Sequence, residues 1–113
     1  MNCLFCKIIS KEIPAKVIYE DDRVLAFEDI NPQAPLHVLV IPKKHIATSL
    51  DITEQDHALM GELLQAANRL ATERGVAEGG FRTVINCNRD AGQTVFHLHL
   101  HLLGGRPMSW PPG

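Results

Sequence analysis

The sequence predicts an α+β fold, a sheet of about five mostly antiparallel strands with one long and one short helix covering a face. Two observations carry this. Short strand-like runs follow one another through connections too brief for crossover helices, and His97-Leu98-His99-Leu100-His101-Leu102-Leu103 alternates with the period of a strand. Against them, only residues 54–74 hold apolar spacings of three and four for long enough to make a multi-turn helix. At 113 residues the chain is read as one domain, 1–113, with a tail from 104 to 113.

Cys3-Leu4-Phe5-Cys6 opens a short amphipathic helix whose buried side is Leu4, Phe5, Ile8 and Ile9, ended by Ile13-Pro14. A Cys-x-x-Cys pair can supply two thiolates to a tetrahedral zinc if two further ligands arrive from elsewhere. A redox pair of the thioredoxin kind would follow a strand, and none precedes it; two small packing residues are the remaining reading. Val17–Glu20 and Val24–Ile30 then read as a hairpin about the Asp21-Asp22 turn. Asp29 either begins the next turn or binds a sugar hydroxyl pair, and composition favours the turn. Asn31-Pro32-Gln33-Ala34-Pro35 is a rigid connection to His37–Pro42, an apolar central strand stopped by proline.

After the polar corner Lys43-Lys44-His45, Thr53 and Asp56 make a capping-box pattern that starts the long helix, Glu54 to Arg74. Leu59, Met60, Leu63, Leu64, Ala67, Leu70 and Ala71 form its buried stripe, Gly75 stops it, and His57 stays in solvent. Phe81–Cys87 is another strand. The loop Asn88–Thr94 can place backbone N–H groups and the Gln93 and Thr94 side chains around a phosphate. Gly104-Gly105 releases the final strand into a tail whose Trp110 and two prolines suggest docking, against a second subunit; a sheet this small would also extend itself through a partner.

The histidine run holds three of the six histidines. On a strand they share one face, spaced about 6.6 Å apart, with leucines packed beneath. An ordinary half-exposed strand is one alternative; ligation of one metal by all three is another, and that spacing is too wide for a tetrahedral ion. A polar active-site face is preferred, because imidazole titrates near neutrality and serves as nucleophile, acid or base. The net charge of −2, without a long run of either sign, gives no footprint for nucleic acid or an anionic membrane, and a small phosphate-bearing ligand remains open. The absence of a signal-like segment and the odd count of 3 cysteines place the protein, as an expectation, in the cytoplasm.

The run from His97 to Leu103 resembles the His-φ-His-φ-His-φ-φ signature of the histidine-triad (HIT) nucleotide hydrolases and transferases. Similarity extends through Glu12-Ile13-Pro14-Ala15, Asp29 to Pro35, Ile41-Pro42-Lys43-Lys44-His45, Leu103-Gly104-Gly105-Arg106 and Trp110-Pro111-Pro112-Gly113, which resemble the Hint branch, the purine nucleoside phosphoramidases. The resemblance implies a HIT-like fold with its sheet continued across a homodimer. It implies that His99 attacks the α-phosphorus of an adenosine or guanosine 5′-phosphoramidate, and that water releases the nucleoside monophosphate. His101 would donate to a phosphate oxygen, and His37 would orient the nucleophile. Asp29 would hold the ribose, and Phe5, Ile8, Phe27 and Ile30 would line the base pocket. Asn86, Gly92, Gln93 and Thr94 would contact ribose, phosphate and leaving group, with Thr94 standing where relatives often carry serine. Cys3, Cys6, His45 and His97 would form a structural zinc site, leaving Cys87 as a buried thiol. A dinucleoside polyphosphate hydrolase, or a zinc- and nucleotide-binding interaction module, are the competing readings.

Overall fold

The computed structural model describes residues 2–113. Its elements are α1 (Leu4–Ile9), β1 (Val17–Glu20), β2 (Val24–Glu28), β3 (Leu36–Pro42), α2 (His57–Glu73), β4 (Phe81–Val84) and β5 (Leu100–Gly104), with 3-10 turns at Ser49–Asp51, Glu54–Asp56 and Arg89–Ala91. The strands form one antiparallel sheet in the order β1-β2-β3-β5-β4. The predicted α+β class and the five-strand sheet are therefore observed. Among the described residues, no helix is long and apolar enough to cross a membrane.

Strand β3 is buried along its whole length, because each face of the sheet is covered there. Val38 and Val40 join Ala26, Leu98, Leu100 and Leu102 beneath the Leu59, Leu63 and Leu70 stripe of α2. Leu39 and Ile41 join Leu25 and Phe27 on the opposite face, under Phe5 and Ile8 of α1. A strand buried on both sides has no polar phase, which is why its sequence reads as a continuous apolar run. Opposite it, β5 alternates: Leu100 and Leu102 point to the α2 side and the intervening His101 to the α1 side.

Several boundaries differ from expectation. The α1 helix ends at Ile9, well before Pro14, with Lys11 in a left-handed conformation at φ 68°, and Leu4 is exposed rather than buried. Strand β2 stops at Glu28 and β4 at Val84. The ladder of β5 begins at Leu100, leaving His97 to His99 outside it. Val40 faces Leu100, so Pro42 would face Leu98; proline has no N–H to offer, and the Leu98 N–H donates instead to the Ile46 carbonyl at 2.6 Å. On the long helix the Asp56 carboxylate accepts from the Thr53 N–H at 2.9 Å, as the capping pattern implies, but a 3-10 turn precedes the α-helix, and Leu64 lies outside the buried stripe. Gly75 takes φ 77° directly after the helix, and His57 is exposed as expected. Cys87 is only partly buried.

Candidate active site and metal centre

Three segments converge at the open end of β3: the N-terminus of α1, the corner after β3, and the extended run before β5. They bring together Cys3, Cys6, His45 and His97. The Cys3 sulfur lies 3.4 Å from His97 Nδ1, and the Cys6 sulfur lies 3.4 Å from His45 Nδ1 and 3.6 Å from His97 Nδ1. The two imidazole Nδ1 atoms are 3.2 Å apart. Zn–S bonds of about 2.3 Å and Zn–N bonds of about 2.05 Å make tetrahedron edges of about 3.3–3.8 Å, close to these four separations, and all four donors lie within 4.8 Å of one another, so the set fits a zinc-sized ion.

The ring of His97 is oriented for that task. Its Nε2–H donates to the Pro42 carbonyl at 2.8 Å, which fixes the proton on Nε2 and turns the Nδ1 lone pair toward the sulfurs. Burial keeps this imidazole neutral, below its ordinary pKa. Burial and the adjacent Cys3 thiol raise Cys6 to about 11, so a metal entering the set has to displace its proton.

Two residues further on, His99 makes the corresponding bond with the opposite nitrogen. Its Nδ1–H donates to the His97 carbonyl at 2.8 Å, so the neutral ring carries its lone pair on Nε2. The ring stands edge-on to Phe5, with centroids 5.2 Å apart, and to His101 at 5.0 Å. Phe5 therefore fixes the rotation of a ring whose tautomer the backbone has already set.

His101 is controlled from β3. In the β3–β5 register His37 faces Leu103 and Leu39 faces His101, which makes His37 and His101 diagonal neighbours on one face. The Gln33 N–H donates to His37 Nδ1 at 3.0 Å, so neutral His37 carries its proton on Nε2. That proton points at His101 Nδ1, 2.9 Å away, with Asp29 Oδ2 at 3.4 Å. His101 Nδ1 is then an acceptor, and its own proton sits on Nε2. Burial, with His99 and His37 nearby, holds His101 at about 4, and burial also lowers His37 against the pull of Asp29. One imidazole thus presents a lone pair and its neighbour an N–H.

Beside them lies a cleft of about 400 Å³. Of the residues expected at the site, Phe5, Ile8, Phe27, Asp29, Ile30, Thr94, His99 and His101 line it, although Ile30 is fully exposed. Asn86, Gly92, Gln93 and His37 do not reach its wall. His37 lies behind His101. The amide of Gln93 is committed to backbone groups, accepting from the Asn88 N–H at 2.8 Å and donating to the Val95 carbonyl at 3.1 Å and, across to the segment after β3, to the Ala47 carbonyl at 2.9 Å. It braces the loop that carries Thr94. Ile13, Pro14, Ala15, Leu39 and Val95 also line the cleft. Leu39 reads in sequence only as part of the apolar central strand, and Val95, between the polar loop and the histidine run, carries no sequence signal for a cleft. The Gln33 N–H and Pro42 carbonyl went unseen because backbone groups have no sequence signature.

Residues 10–108 match the HIT domain. The chain belongs to the HIT family. An uncharacterized HIT-like protein of Synechocystis is 58% identical over 112 residues, spanning 99% of this chain and 97% of that one. The purine nucleoside phosphoramidase of Escherichia coli K12 is 47% identical over 105 residues, 93% of this chain and 88% of the relative. A crystal structure of a HIT family hydrolase from Legionella pneumophila superposes with a TM-score of 0.98 at 57% identity, covering 99% of this chain and 100% of the other.

The HIT motif here is accordingly three imidazoles with three separate assignments: His97 toward the thiols, His99 with a bare Nε2 at the cleft, and His101 with a protonated Nε2 beside it. Ring-nitrogen NMR should find His101 neutral above about pH 5, protonated on Nε2, with a midpoint near 4. A midpoint at the ordinary imidazole value, about 6.5, would contradict the buried arrangement.

Proposed function

We propose that this protein is a purine nucleoside phosphoramidase, hydrolysing adenosine or guanosine 5′-phosphoramidates to the nucleoside monophosphate and an amine. The observation that carries the reading is the His99 Nδ1–H bond to the His97 carbonyl, which leaves Nε2 as an oriented nucleophile at the cleft. The Nε2 lone pair forms a bond to the α-phosphorus as the P–N bond to the amine breaks, and the amine leaves with a proton taken from solvent. Water then attacks phosphorus and releases a proton to solvent, the P–Nε2 bond breaks, and His99 returns with its lone pair. Splitting the displacement in two avoids a direct attack by water on the phosphoramidate.

The other side chains take roles that follow their chemistry. His101 donates its Nε2–H to a phosphate oxygen, and His37 holds the tautomer that makes this possible. The Thr94 hydroxyl serves the leaving group and Gln93 supports its loop, while Asn86 and Gly92, which stand off the cleft wall, are left without a ligand contact. Asp29 accepts from the ribose hydroxyls, and the base packs on Phe5, Ile8, Phe27 and Ile30. Cys3, Cys6, His45 and His97 would hold a zinc ion and through it tie α1 to the β3 corner and the His97 segment; four protein donors would leave no open position for water, so the metal would serve structure. The relative of E. coli bears the phosphoramidase name and supports this reaction over the dinucleoside polyphosphate alternative. The sheet ends on the short strand β4, and exposed Ile85 beyond it and Trp110 in the tail support a homodimer. A reducing, cytoplasmic setting suits the unbridged cysteines.

His99→Asn should lower turnover of adenosine 5′-phosphoramidate by at least about 10³-fold while AMP still binds; parent-like turnover would remove His99 from the reaction. Untagged protein should carry one zinc per chain, and Cys3→Ser should lose it with a lower thermal midpoint; full metal content in the variant would exclude the site. Sedimentation at micromolar concentration should report twice the 12.5 kDa chain mass.

A further inference from the structure

We infer that Arg106 is a positioning residue for this site: its guanidinium locks Gln33, which sets the His37 tautomer and through it the proton that His101 presents to the cleft. The inference rests on the donor role proposed for His101. Arg106 follows β5 directly, where the chain leaves the sheet through Gly105 at φ 94°. Its Nε–H and one Nη2–H donate to the Gln33 carbonyl at 3.0 and 2.9 Å, and Nη1 donates to the Pro107 carbonyl at 3.0 Å. Two charge-assisted bonds from one rigid fork onto one oxygen fix the direction of that carbonyl as well as its position.

The corner and the loop it grips are in direct contact. A Cβ at position 105 would lie 2.9 Å from Pro35 Cβ, so the glycine allows the backbone to close onto the β2–β3 loop. At its other end this loop is tied by the Asn31 N–H to Asp29 Oδ1 at 2.8 Å and by Gln33 Nε2 to the Asn31 carbonyl at 3.1 Å. Gln33 sits between the two ties, and its N–H is the donor that His37 Nδ1 accepts.

The consequence is chemical. A neutral imidazole exchanges readily between its two tautomers unless a neighbour decides for it. With Gln33 released, His37 is free to carry its proton on Nδ1 and to accept at Nε2. His101 then donates from Nδ1 and turns a lone pair, instead of an N–H, toward an anionic phosphate oxygen. Arg106 reaches none of the cleft wall, yet it selects the productive tautomer of a residue that does.

The test uses full-length metal-loaded protein, ¹⁵N-labelled at histidine. In Arg106→Ala the His37 and His101 ring nitrogens should move from single-tautomer to averaged shifts. The kcat for adenosine 5′-phosphoramidate should fall about tenfold, with KM within about twofold. Arg106→Lys should lie between, and millimolar guanidinium should restore part of the lost kcat in Arg106→Ala. Unchanged ring-nitrogen shifts in Arg106→Ala would overturn the inference whatever happens to activity. Averaged shifts beside an active His99→Asn enzyme would instead overturn the nucleotidyl-histidine mechanism and leave the tautomer role of Arg106 standing.

Discussion

Four of the five imidazoles at the site, all but His45, have one nitrogen committed to the backbone, directly or through one other ring, and that commitment decides what the second nitrogen can do. The Pro42 carbonyl takes the Nε2 proton of His97, the His97 carbonyl takes the Nδ1 proton of His99, and the Gln33 N–H occupies Nδ1 of His37, whose proton reaches His101. A backbone carbonyl can only accept and a peptide N–H can only donate, so these bonds fix tautomers and not merely orientations. Four chemically identical side chains thereby present different groups: His97 a lone pair toward the thiols, His99 a lone pair and His101 an N–H at the cleft, and His37 the proton that sets His101.

Proline at the end of β3 makes this arrangement possible. Had residue 42 carried an N–H, the β3–β5 ladder could have continued past Leu100, and the stretch before it would have been held as regular strand. Ending the ladder there leaves the Pro42 carbonyl to the His97 ring and lets Leu98 bond to Ile46. The leucines still alternate into the α2 core, so the segment is anchored on one side while its histidines are arranged independently on the other.

The core and the site are coupled through α1. Phe5 packs on Phe27 at 5.4 Å and on the rings of His97 and His99, while Cys3 and Cys6 on either side of it face the metal donors. One short helix therefore contributes to the hydrophobic face, the thiol set and the wall of the cleft. Six residues cannot hold a helix by themselves. Its place depends on burying Phe5 and Ile8, and a bound metal would add to that hold.

Residue pattern alone determined the α+β class, the hairpin of β1 and β2, the buried central strand, the long helix and the single polar face of the histidine run, since alternation and helical spacing are local consequences of burial. The Cys-x-x-Cys pair and the motif's likeness to a known family pointed to the metal and catalytic sets. Tertiary structure decided where β5 begins, that Gln93 braces a loop instead of facing the cleft, that Leu64 is exposed, and which nitrogen of each imidazole carries the proton. Those outcomes depend on backbone groups from residues far apart in the chain, such as Pro42 beneath His97 or Arg106 on Gln33, and a peptide carbonyl has the same identity at every position until the fold aims it.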